Sequence, residues 1–147
     1  MASPRAVYLD CIAQCMRQIR QAGGYNTNAG LAVTLEPTPK LAESDEAFIA
    51  VVWSRQARAA APAARGKRAT TVDIIARVPT TLTDARDRLD LIVEDIESAL
   101  ARQEARFPVG YEFPQYEAAE PLMPPAGAGW VGVQITVTGH IPTHATT

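Results

Sequence analysis

Residues 48–53, from Phe48 to Trp53, are apolar at every position, and the run is short enough to read as a strand. A strand with one wet face alternates apolar and polar side chains, so a strand without alternation must be covered on both faces. The rest of the chain offers two amphipathic helices, which can cover one face of a sheet and leave the other bare. The second cover is either a further layer of this domain or a neighbouring subunit, and at this length a neighbouring subunit is expected. Phe48, Val51 and Trp53 are therefore candidate interface residues.

The first helix follows from Ser3 as N-cap and Pro4 at the first helical position, with Tyr8, Ile12, Cys15, Met16 and Ile19 recurring on one face. It is expected to run about five turns, to Gly23 and Gly24. The stretch 25–30 is dense in Asn and Gly, the residues of turns, and residues 31–35 read as a short strand. Residues 70–78 alternate with period two, setting Thr70, Val72, Ile74, Ala76 and Val78 against Thr71, Asp73, Ile75 and Arg77, as a half-buried strand does. A second helix, begun at Thr81 with Asp84 or at Thr83, has the core face Ala85, Leu89, Ile92, Val93, Ile96 and Leu100. A last strand, 130–138, places Val131, Val133, Ile135 and Val137 on one side.

Three segments read as irregular. Residues 55–68 contain Arg55, Arg58, Arg65, Lys67 and Arg68 and no acid, which predicts a mobile basic loop. Residues 107–129 hold five prolines and three glycines and read as a long arm. Residues 140–147 read as a polar tail. Hairpin-length connections and a single helical crossover predict one α+β domain across residues 1–147, a mostly antiparallel sheet of about four strands with two helices on one face. At 147 residues such a domain buries roughly 68–70% of the surface of its unfolded chain.

A formal charge of −2 gives no global attraction to nucleic acid or anionic membrane. The N-terminus lacks a basic region followed by an apolar one, and no apolar run approaches 18 residues, so the expectation is a chain that remains in the cytoplasm when made, with no membrane partner.

Candidate chemistry is sparse. His140 and His144 are the only imidazole bases, and neither a nucleophile elbow, a P-loop nor a dinucleotide-binding turn is present. Cys11 and Cys15 with His140 and His144 form two i, i+4 pairs that tetrahedral zinc would accept in principle, but a helix disfavours the convergence of the two sulfurs. The preferred reading is two reduced, half-buried thiols and two tail imidazoles. On the second helix Asp87, Asp90, Glu94, Glu97 and Glu104 make an acidic stripe. It reads either as a solvated face, as a face toward a partner or bore, or as a paired-carboxylate site. The basic segment reads as a solvated loop, a protein contact or a DNA contact, without the aromatics that stack single-stranded bases. No catalytic residue, metal ligand or cofactor is expected.

The sequence resembles the tail terminator, or tail completion, proteins of long-tailed phages, of the minor tail protein U type. The features that carry the likeness are the opening helix leading into Gly23–Gly30, the apolar strand 48–53, the variable loop, the helix 89–100 containing Asp95 and Ile96, and the short final strand. The resemblance implies an α+β subunit that assembles in host cytoplasm into a hexameric ring on the head-proximal end of the tail tube. That ring would halt tube polymerisation, meet the tail tube protein on one side and a connector or neck protein on the other, and let DNA pass without specific binding. Another neck or minor tail component is the alternative within the same class, and a small cytoplasmic enzyme or ligand-binding domain the alternative outside it.

Overall fold

The computed structural model describes residues 3–35, 47–59, 66–80, 84–101, 103–122, 124 and 126–143. Helix α1 (Pro4–Met16) starts as the sequence predicts, with the Ser3 hydroxyl accepting from the Ala6 N–H at 3.1 Å and Pro4 at the first turn. It stops short of Gly23. A 3₁₀ turn at Ala29–Leu31 presses against the helix end, where Gly30 donates to the Ile19 carbonyl at 2.9 Å and rests on the backbone of Met16 and Ile19. Apolar spacing alone continues to Ile19; the incoming chain is what ends the helix.

Strand β1 (Val33–Thr34) is only two residues long and pairs in parallel with the start of β2 (Phe48–Arg58). Strand β3 (Lys67–Pro79) follows, then α2 (Ala85–Leu100), β4 (Gln115–Leu122) and β5 (Trp130–Pro142). The five strands lie in the order β1-β2-β3-β5-β4, with every pairing other than β1 to β2 antiparallel. This is an α+β fold.

Both helices pack on one face of the sheet. Tyr8, Ile12 and Met16 from α1 and Ile92 and Ile96 from α2 meet Ile49, Val51, Val72, Ile74, Ile135 and Val137, all fully buried. Each such aliphatic or aromatic side chain contributes about 1.5–3 kcal/mol of transfer free energy. The period-two reading of β3 holds, since Val72, Ile74, Ala76 and Val78 are buried on the helix side while Ile75 and Arg77 are half-buried on the other.

Four expectations are corrected here. The basic segment 55–68 is not a loop through its length: Arg55 and Arg58 end β2, Lys67 and Arg68 begin β3, and Arg58 lies across from Arg68. Backbone pairing carries the hairpin past the end of the apolar run, because the ladder needs N–H and C=O groups rather than apolar side chains. The arm 107–129 contains β4, a fifth strand, whose Pro121 is tolerated because β4 is an edge. Residues 140–142 belong to β5 and not to a tail. Finally, Phe48 and Ala50, on the face away from the helices, are 5% and 1% exposed within this one chain, so the apolar run does not itself demand a neighbour. The Arg77 guanidinium lies 5.8 Å from the Phe48 ring and 4.2 Å from the Trp130 ring on that face.

Candidate interaction surface

Of the candidate interface residues, Phe48 and Val51 are core. Trp53 is different: it lies on the helix side near the outer edge of the sheet and keeps 44% exposure under the Arg5 guanidinium, 4.2 Å from its ring. Arg5 also donates to Gln56 Oε1 at 3.1 Å, and Gln56 donates to Thr70 Oγ1 at 3.1 Å, a small polar tie between α1 and the β2–β3 hairpin. Beyond it Arg55 and Arg58 are exposed. Lys67 reaches the Gly110 carbonyl, and Arg68 donates to the Lys67 carbonyl at 2.9 Å. Arg65 lies outside the described residues. Cations facing each other across a strand pair repel, so Arg58 opposite Arg68 is a local cost at the end of this hairpin.

The acidic stripe is divided by the structure. Asp87, Asp90, Glu94 and Glu97 are exposed on α2, whereas Glu104 stands on a separate 3₁₀ turn after the helix has ended. A second acidic edge was not legible in the sequence: Glu117 and Glu120 are exposed on β4, within a segment whose prolines argued against a strand. Tyr116 beside them is 55% exposed. Next to it, an apolar groove of about 500 Å³ opens between α2 and β4, walled by Ile96, Leu100, Phe113, Tyr116 and Ile135, with Glu97 at its margin.

Asp95 departs from the rule that a helix turns its acids outward. It is 2% exposed, and its carboxylate accepts from the Asn26 N–H at 2.9 Å, the Thr27 N–H at 2.9 Å and the Thr27 hydroxyl at 2.7 Å. Segments 23–30 and 89–100 thus meet at one buried carboxylate. The sequence signal was an acid set directly before Ile96 on the core face of α2.

The cysteines and His140 do not converge. Cys11 is half-buried with its thiol directed at the Arg106 carbonyl at 3.4 Å, Cys15 is buried, and both are free thiols. His140 sits on β5 with Nδ1 2.8 Å from Glu112 Oε2, and His144 lies outside the described residues. Among the described residues no three His, Cys, Asp or Glu side chains are grouped to hold a metal. Burial pushes the Cys15 thiol up to about 11 and, together with Asp10, raises Cys11, so both stay protonated at neutral pH and are poor nucleophiles. Burial, with Glu112 second, also raises Tyr8, whose hydroxyl has no hydrogen-bond partner among the described residues. Among the described residues no helix is long and apolar enough to cross a membrane.

No family model matches the sequence, and no curated protein is significantly similar to it.

Proposed function

We propose that this chain is a structural virion protein of the tail terminator type, acting through surface complementarity. It assembles into a ring on the head-proximal end of a phage tail tube, stops further tube subunits from adding, and presents the surface to which the head joins. In this reading the protein works in host cytoplasm during assembly and then resides in the virion, with the tube protein, a neck protein and further copies of itself as partners.

The observation that supports it best is the Asp95 contact. It ties two of the five features on which the resemblance rests into one built unit, within an α+β subunit of the kind the resemblance implies. Further support comes from the charged ends left exposed: a basic hairpin at one margin of the sheet, and acidic edges on α2 and β4 toward the other. A cap must bind the tube end more tightly than the next tube subunit does. An advantage of about 3 kcal/mol favours capping more than a hundredfold at equal concentrations.

Deleting the gene from the phage that encodes it and imaging lysates by electron microscopy tests the proposal. Overlong or unattached tubes beside full heads are expected. Tails of normal length joined to heads would refute it.

A further inference from the structure

The sheet ends in two edges of opposite charge. Strand β1 pairs only with Ile49 and Ala50, so among the described residues no strand is paired to the outer side of β2 at residues 51–58, a stretch as long as the 8 residues of β4. That edge carries Arg55 and Arg58 and no acid. At the opposite end β4 pairs, among the described residues, only with β5, and its edge carries Glu117 and Glu120 and no base. Open edges bind other strands unless something prevents it. Here like charges discourage β2 from joining β2 and β4 from joining β4, while β4 of one copy and β2 of the next attract.

We infer that copies of this chain join edge to edge, β2 of one against β4 of the next, in a continuous sheet. The inference rests on the ring reading above and names the surface that would build the ring. Strand direction permits it. Because β2, β3, β5 and β4 alternate strictly, a rotation that carries one copy onto its neighbour with the helices kept on the same side sets β4 antiparallel to the incoming β2. One antiparallel register places Arg55 opposite Glu120 and Arg58 opposite Glu117. Arg58 stands on the helix side of its strand, as its partner Arg68 shares the side of Thr70 and Val72, so it arrives over the groove beside Tyr116, where Glu97 waits. The contact uses two different surfaces of each copy, and heterologous contacts of this kind close into rings or run on as filaments. The β-bulges at Ser54 and Glu117 adjust the twist at each edge.

The test is sedimentation velocity across a concentration series on the full chain and on R55E/R58E, E117R/E120R and the combination of all four, with circular dichroism to check folding. Each double variant is expected to dissociate at concentrations about tenfold higher than wild type or more. The fourfold variant, with charges exchanged, regains association, as does an equimolar mixture of the two double variants, in which each supplies the edge the other lacks. A wild-type ring that neither double variant weakens, or a fourfold variant no better than either, overturns edge pairing while leaving the ring itself standing. A wild-type chain that is monomeric at every concentration and on tube ends overturns both.

Discussion

Replacing Asp95 by Asn keeps nearly the same volume and removes the charge, which makes it a sharp probe of how the fold is held around 25–28. The native carboxylate accepts three hydrogen bonds, from the Asn26 and Thr27 amides and the Thr27 hydroxyl, at 2.7–2.9 Å, from a position 2% exposed. An amide can offer only one acceptor oxygen, so its NH₂ must confront a backbone N–H. Hydrogen bonds to a charged group contribute about 1.5–3 kcal/mol each, but the exposed Asn26 amide regains water once released, and relief of the buried charge returns part of the loss. The net cost is about 3 kcal/mol, a large share of the 5–15 kcal/mol typical of a domain. In thermal unfolding that corresponds to a fall in Tm of about 6–12 °C for a chain of this length. Thr27→Val, which removes the hydroxyl that donates to Asp95 and accepts from the Ala29 N–H at 3.4 Å, is expected to cost about 1 kcal/mol. Urea titration reads both, with an unchanged slope showing that the compactness of the states is preserved. A D95N protein within about 0.5 kcal/mol of wild type would refute the reasoning, since surface substitutions fall in that range.

Two further predictions concern stability. A Cβ at Gly30 would lie 2.6–2.8 Å from backbone atoms of Met16 and Ile19, which cannot yield as a side chain can, so Gly30→Ala is expected to cost about 3 kcal/mol or prevent folding. Gly24→Ala meets nothing but carries φ +93, and is expected to cost only about 1–2 kcal/mol; chemical denaturation in which the two are equal would count against the packing argument. Cys15 and Tyr8 have folded pKa values above their ordinary values of 9.0 and 10.0, so the unfolded chain releases these protons first. The stability Cys15 supports is intact below pH 9 and is lost as pH rises toward about 11, while the loss from Tyr8 begins near pH 10 and continues above that window; the decline should be shallower in Cys15→Ala, and a flat profile from pH 9 to 11 in wild type would refute the assignment.

Local periodicity determined a good part of this protein. The period of two in β3 and β5, the 3.6-residue spacing of α2, and the Ser3–Pro4 start of α1 were all legible, because each is set by which side chains one element must turn toward a core. From these the α+β class follows. What the sequence could not reveal were features decided between elements. Helix α1 ends at Met16 because Gly30 arrives from elsewhere in the chain; residues 115–122, within the Pro-rich segment 107–129, form a strand because β5 offers them a ladder. Asp95 turns inward because the loop at Asn26 and Thr27 brings it donors. The candidate surface divides the same way. Its charges could be read directly from the chain, but Arg55 and Arg58 became one edge of a sheet, and Glu117 and Glu120 the other, only through the strand order β1-β2-β3-β5-β4, since pairing between distant segments carries no periodic trace in either segment alone.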